Sequence, residues 1–525
     1  MNTIKSFIKR NHIIAYLIMI VLLLVAGYCV KWCNYSKIGA ILGDRAGTLY
    51  SYYNAIFLII LAGATLVFFC VVKKVVIEKL YAICAFVVGL LFMLAVTPVA
   101  SADEDNHFYK CYDLSNVFFG YDLPEDEHEH LLRECDANTS LDKKISVGNY
   151  WFTANDFFVK ADSTDMTLKY VDDVTYETMG TIYYFPAILG IIIGRLLNLG
   201  TVPLMMLSRL LMLLAYIFIT YKALKKIPVF KPIFALVMLM PSVMARASSI
   251  SQDGLLMAYT FVFVAYAVYY INKREKIKIS SAIVMIIMGL GMAIGKGGAY
   301  LPFLLLLFLI PKENFGDRVK YPLVVAASVI LCATVYLLGN SSLFAEVAGS
   351  VGGTEHELIW TEGESYNIKY IISHPTHCLK VFVNSLFAYG GKWYVELIGS
   401  GYGWLQIYTS EFWVVIYTVL LLGAGLNVRG EEYCLKRGQK IAVLGTAAFS
   451  SILVILSMWI FWTPVSSDTI LGIQGRYFIP ILLLVLMAFK NRHMVIKKNP
   501  EKILILMSLL VSIGTVFNIW TGMMI

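Results

Sequence analysis

Five consecutive residues, Asp103-Glu104-Asp105-Asn106-His107, stand directly after an apolar run from Leu80 to Ala100 that Thr97-Pro98 closes. Ionisable groups at a membrane boundary are tolerated where they meet water or a protein cavity, so adjacent carboxylates there mark a site. A carboxylate so placed can take the proton of an acceptor hydroxyl, and Asp103 and Glu104 are the candidates. His107 comes one helical turn after Asp103 and would share its face, placed to orient a carboxylate or touch a ligand. A magnesium or manganese site built from Asp103, Glu104 and His107 is an alternative use of the cluster. The plainest alternative is a solvated helix start whose acids suit the helix dipole.

Four other polar positions interrupt apolar stretches. Arg209 lies inside the run 203–221, where an ionised group must find a partner. Asp253 follows Ser248-Ser249-Ile250-Ser251-Gln252 and is placed to cap the helix that begins at Gly254. Lys296 sits in Gly295-Lys296-Gly297-Gly298, between two short apolar segments. Gln474-Gly475-Arg476-Tyr477 precedes the penultimate apolar run. Paired guanidinium donors match phosphate oxygens, so Arg476, Arg209 and, as a point charge, Lys296 are phosphate candidates. Against these stand a structural ion pair for Arg209 and a snorkelling interfacial role for Arg476.

The elements that must position these residues are membrane helices. Of 525 residues 59% are hydrophobic and 15% charged, against roughly 25% charged in soluble domains. Apolar segments run over 13–30, 53–72, 80–100, 203–221, 232–250, 254–271, 281–295, 299–310, 321–338, 410–427, 441–462, 477–489 and 503–522. A full crossing takes about 20 residues, so 281–295, 299–310 and 477–489 are short. Lys5, Lys9 and Arg10 ahead of the first run resemble a signal peptide, but the run is long and no small-residue cleavage site follows, so it reads as a retained first helix.

Basic residues set the orientation. With the N-terminus cytoplasmic and each segment crossing once, the inner loops hold 26 of the 43 Lys and Arg residues, as the positive-inside tendency requires. Segment 181–199 would invert every later loop if it crossed, so it is expected as an interfacial helix on the outer face, where Tyr183, Tyr184 and Arg195 suit the boundary. The outer face then receives 101–202, of which 101–180 holds 18 of the 35 Asp and Glu residues, and 339–409, rich in Gly and in aromatics such as Trp393, Tyr394 and Trp404. The run Glu125 to His130 reads as a solvated face, and the three aromatics as interface anchors or sugar platforms. Nine scattered cysteines show no metal spacing; Cys111 and Cys135 share a loop and are either bonded or free. The formal charge of +8 falls in short inter-helix loops and does not point to nucleic acid.

A membrane enzyme facing outward lacks nucleotide donors but can use sugars on polyprenyl phosphate. A resemblance fits this setting. Thr97-Pro98, Asp103-Glu104 with His107-Phe108 and Lys110, then Leu114-Ser115, resemble the opening motif of the bacterial membrane family of unknown function DUF2142. Tyr184-Phe185-Pro186 with Gly194-Arg195, Ser208-Arg209-Leu210, Met240-Pro241 with Ala247-Ser248-Ser249 and Asp253-Gly254, and Gly472 to Pro480 follow in that family's order, over about 85–490. Two departures are the two spans ahead of the motif-bearing one and Lys110 where Arg is common. The family is similar to GT-C glycosyltransferases, which implies an acidic base in the first large outer loop. Asp103 is the matching position, with Glu104 beside it.

The expectation is therefore an all-α polytopic bundle of about 13 transmembrane helices, GT-C-like, with outer interfacial helices and loops. Its parts are an N-terminal pair (1–79), a catalytic region (80–490) and a last loop and helix (491–525). Located in the cell membrane, it would move a sugar from a polyprenyl-phosphate donor to an envelope glycan or lipid-linked acceptor. Asp103 and Glu104 would be catalytic, and His107, Arg209, Asp253, Lys296, Gln474, Arg476 and Tyr477 would bind substrate. The rival readings are a lipid-linked glycan flippase, which would place its polar groups at the bilayer midplane, and a non-catalytic subunit of envelope assembly.

Overall fold

A computed structural model describes residues 2–126, 128–171, 178–315, 364–428, 435–490, 494–496 and 499–524. The chain is mostly helical, and its described strands form three two-stranded sheets. Among the described residues, six segments are long and apolar enough to cross a membrane: Asn11–Val72, Ile77–Ala95, Thr201–Lys226, Gln252–Asn272, Arg437–Trp462 and Glu501–Thr521. Phe185–Leu196, Ile279–Met292, Glu411–Ala424 and Gly475–Phe489 are shorter apolar helices.

The first of these segments is a hairpin. Helix α1 (Asn2–Leu42) and helix α2 (Ala46–Val72) meet at a turn over Gly43–Arg45 and run antiparallel. The Tyr53 hydroxyl donates to the Gly27 carbonyl, and Tyr16 meets Thr65 at 3.2 Å. Helix α3 (Ile77–Ala95) returns along α2 and leads to the acidic cluster. Thirteen of its nineteen residues are buried, because α2, α8 (Thr201–Lys226) and the last helix, Glu501–Thr521, surround it.

Two expected spans take other forms. The run 232–250 is not one helix: Pro241 lacks the amide a continuous helix needs, and the chain breaks into α9 (Lys231–Met238) and α10 (Pro241–Ala247). Residues Leu301–Leu309 wind as a 3-10 helix. The run 321–338 lies outside the described residues, as does 339–363. Segment 181–199 contains α7 (Phe185–Leu196), only about 18 Å long at 1.5 Å per residue and too short to cross about 30 Å of hydrocarbon. It packs antiparallel on α8, Gly190 against Ser208 and Gly194 against Leu204.

The basic loops gather at one end of the bundle. Lys231 pairs with Glu78, Lys502 donates to the Lys74 carbonyl, and Lys440 donates to that of Lys490. Near the same end Lys226 stacks on Tyr269, 3.5 Å from its centroid. The acidic cluster lies at the other end of α3.

There, residues 101–126 and 128–171 form a folded cap. Helix α4 (Glu104–Phe118) packs on a hairpin of β1 (Glu129–Arg133) and β2 (Met166–Tyr170), in which Glu129 faces Tyr170. The expected solvated face holds for Glu125 and Asp126, which are exposed, but strand alternation turns His130 inward, fully buried, with Nδ1 2.7 Å from Asp113. Asp136 welds the cap to the bundle by accepting from Tyr112 (2.7 Å), Arg133 (2.7 Å) and Thr201 (2.8 Å). Cys111 and Cys135 are both free thiols.

Candidate functional site

Glu104 opens α4 and is wholly buried. Its carboxylate accepts from Arg209 Nε at 2.7 Å, from Arg209 Nη2, from the Val99 amide at 3.0 Å and from the Ile250 amide at 2.9 Å. Arg209, also sealed, spends its remaining donors on the carbonyls of Met93, Val96 and Thr97. One buried pair thus ties the end of α3, the start of α4, the body of α8 and the 248–251 turn together. Neither side chain is placed to touch a substrate, so this arrangement corrects the expectations of Glu104 as a base and Arg209 as a phosphate ligand. The sequence offered a structural ion pair for Arg209, and Glu104 is its partner.

Asp103, one residue earlier, has the opposite environment. Its side chain is 46% exposed, and Oδ2 lies 3.5 Å from Arg476 Nη2. It occupies the N-cap position of α4, yet its carboxylate caps nothing, and its φ of +63° is left-handed. Such conformations cost about 1 kcal/mol or more in a non-glycine residue and cluster at functional sites, though Asp tolerates them better than most. The capping explanation therefore fails for Asp103.

Asp253 is not the cap expected of it. Ser251 caps α11 (Gln252–Asn272) by accepting from the Asp253 amide at 3.2 Å, which leaves the Asp253 carboxylate for other work. Its Oδ1 pairs with Lys296 Nζ at 3.0 Å and its Oδ2 with Arg476 Nε at 3.2 Å. Lys296 and Arg476 also lie over the Tyr477 ring, 5.0 and 5.5 Å from its centroid. The Tyr477 carbonyl is held by the Tyr300 hydroxyl at 2.9 Å. Gln474 precedes this turn with extended backbone, and its side chain is partly exposed. Arg476 itself is buried rather than snorkelling.

Two glycines permit this convergence. A Cβ on Gly475 would sit 1.9 Å from the Trp393 carbonyl, so only glycine lets the 475–478 turn press against the helix Pro375–Ile398. A Cβ on Gly254 would meet Ala247 Cα at 2.9 Å, and its absence lets α10 lie on the start of α11. That contact delivers a residue the sequence reading missed, Arg246, buried and donating to Ser101 Oγ at 3.0 Å. The available signal was an ionisable group inside the apolar run 232–250. Glu396 was also missed; it accepts the Gly475 amide at 2.8 Å, and burial pushes its carboxyl upward.

His107 lies inside α4 with Nδ1 2.7 Å from the Tyr184 hydroxyl. Burial lowers its pKa to about 4; Asp103 and Asp253 oppose that fall, while Lys296 and Arg476 reinforce it. The imidazole is therefore neutral at pH 7. It stands one turn along α4 from Asp103, whose carbonyl accepts the His107 amide at 3.1 Å.

Among the described residues no three His, Cys, Asp or Glu side chains converge in a metal-holding group. With the Glu104 oxygens committed to Arg209, the Asp103–Glu104–His107 cation site does not form. Of the aromatic candidates, Trp404 lies under Lys143 at 4.2 Å and Tyr394 bonds Thr418 at 2.5 Å. Trp393 packs beside Tyr389.

Helices of membrane-spanning length, a polar cap at one end and basic loops at the other define a polytopic helical membrane protein. The family described as predicted membrane protein (DUF2142) matches residues 86–485, and the chain belongs to that family. No curated protein and no solved structure matches the chain.

Proposed function

We propose that this protein is a membrane glycosyltransferase, taking a sugar from a polyprenyl-phosphate donor for a hydroxyl of an envelope glycan or lipid-linked acceptor. The observation that carries the reading is Asp103: a half-exposed carboxylate, freed from capping, 3.5 Å from a buried arginine that is itself paired to Asp253. A base beside a phosphate-binding cation is what this transfer needs. Asp103 takes the acceptor proton, the acceptor oxygen bonds to the anomeric carbon, and the carbon–oxygen bond to phosphate breaks. The departing phosphate keeps the bonding pair, and Arg476 and Lys296 neutralise it. The site would face the cell exterior, where lipid-carried donors take the place of nucleotide sugars.

The test is acceptor-dependent release of free polyprenyl phosphate by purified protein from a panel of polyprenyl-phosphate sugars. Wild type releases carrier from one donor, and Asp103→Asn lowers that release by at least 100-fold while the protein stays folded. Full activity in Asp103→Asn removes the proposed base. Failure with every donor removes the transferase reading.

A further inference from the structure

Two guanidiniums at this site have donors that the protein leaves unused. Arg246 is 3% exposed and Arg476 is 8% exposed. Nε of Arg246 and Nη1 of Arg476 are buried and donate no hydrogen bond among the described residues, while Arg476 Nε meets Asp253 Oδ2 as an ion pair at 3.2 Å. A buried donor left unsatisfied costs about 1–3 kcal/mol, and more when charged, so a fold keeps two of them together only for a reason. Arg246 reaches this end of the bundle through the α10–α11 contact at Gly254, and its Nη1 lies 3.0 Å from Ser101 Oγ and 3.5 Å from the Ala102 carbonyl, next to Asp103, whose Oδ2 faces Arg476 Nη2 at 3.5 Å. Burial and Arg476 push its pKa down while the two aspartates hold it up.

The backbone around them favours the same ligand charge. Helices α4 and α11 begin at Glu104 and Gln252, and the turn and helix Gly475–Phe489 begin beside Arg476. Helix N-termini carry partial positive charge and favour anions. The aspartates cannot fill the arginines' free donors: Asp253 is engaged by Lys296 and by Arg476 Nε, and Asp103 faces Arg476 Nη2.

We propose that Arg246 and Arg476 form a two-guanidinium clamp for one phosphate group, Arg246 being a ligand contact rather than a packing residue. The proposal rests on the transferase reading for its setting and identifies the group the site holds. A tetrahedral phosphate offers enough oxygens to accept from both Arg246 Nε and Arg476 Nη1, which a carboxylate of the protein does not reach. Phosphate chemistry is shared by a lipid carrier and by free phosphate.

The test is binding without acceptor, so that it reads the clamp and not turnover. Full-length protein in nanodiscs is titrated separately with undecaprenyl phosphate and with inorganic phosphate, following thermal midpoint and the phosphorus resonance. Wild type is expected to be stabilised by the lipid phosphate. Arg246→Gln should weaken that binding at least tenfold. Arg246→Lys, which keeps the charge but loses the fork, should weaken it about tenfold, and it answers the question if the glutamine variant does not fold. Lys502→Gln removes one positive charge at the opposite end and should bind as wild type does.

Stabilisation of wild type by inorganic phosphate alone, with the same dependence on Arg246, supports the clamp and assigns it a free anion. Wild-type affinity for both phosphates in Arg246→Lys and Arg246→Gln overturns it, as does binding of neither by wild type. Loss of transfer with phosphate binding intact would count against the transferase reading alone.

Discussion

Removing one half of the Glu104–Arg209 pair should unfold this end of the molecule rather than disarm it. The carboxylate accepts four hydrogen bonds, two from Arg209 and two from backbone amides, and both side chains are wholly buried. Breaking such a pair from one side leaves an uncompensated buried charge, which costs about 3–5 kcal/mol. Typical total stabilities are about 5–15 kcal/mol, so the change is a large share of what holds the fold. Glu104→Gln keeps the shape and removes the charge, leaving Arg209 facing carbonyls and one amide oxygen. Arg209→Met should cost a similar amount, because the Glu104 charge is then stranded. The double variant should cost clearly less than the two single costs added, since it leaves no buried charge.

The assay is thermal unfolding in detergent or nanodiscs, with a fall of roughly 5 °C or more for each single variant. The same samples are then scored for activity per folded molecule. A Glu104→Gln protein as stable as wild type, yet inactive, would refute the structural assignment and return Glu104 to the chemistry.

Other consequences follow from the same geometry. Asp253→Asn leaves Lys296 and Arg476 without their shared carboxylate, paired at 3.0 and 3.2 Å. It should destabilise the fold as Glu104→Gln does, by about 3–5 kcal/mol, and lower the thermal midpoint accordingly, whereas Asp103→Asn, losing a half-exposed partner at 3.5 Å, should shift it little. Because the His107 pKa is lowered from 6.5 to about 4, the unfolded chain binds the extra proton between those values and the folded one does not. Its contribution to stability is complete above about pH 6.5 and is lost toward pH 4, by up to roughly 3 kcal/mol. His107→Gln should remove that part of the pH dependence, visible as the difference between the two pH–stability curves. Gly475→Ala, whose Cβ would sit 1.9 Å from the Trp393 carbonyl, should fail to accumulate as folded protein, measured by monodispersity on size exclusion.

Much of the frame was legible in order and charge. Apolar length alone announces α1, α2, α3, α8, α11 and the helices Arg437–Trp462 and Glu501–Thr521, because hydrocarbon sets both the length and the composition of anything crossing it. The basic ledger placed the loops around Lys74, Lys231, Lys440 and Lys502 on one face, and these loops lie together at one end. Asp103, Asp253, Lys296 and Arg476 were singled out by the same rule, that an ionisable group beside apolar sequence has a partner. Their partners are one another.

Neighbouring residues with the same chemistry were not separable that way. Asp103 and Glu104 are adjacent carboxylates in sequence. Only the left-handed backbone at Asp103 turns one outward and drives the other into the bundle against Arg209. Arg246 was hidden because hydropathy reads 232–250 as a crossing, while the break at Pro241 and the contact at Gly254 turn it toward the site. Sequence settled which groups need a partner, since burial energy depends on residue type. Tertiary structure decided which partner each found, since that depends on backbone direction and on contacts between segments more than a hundred residues apart.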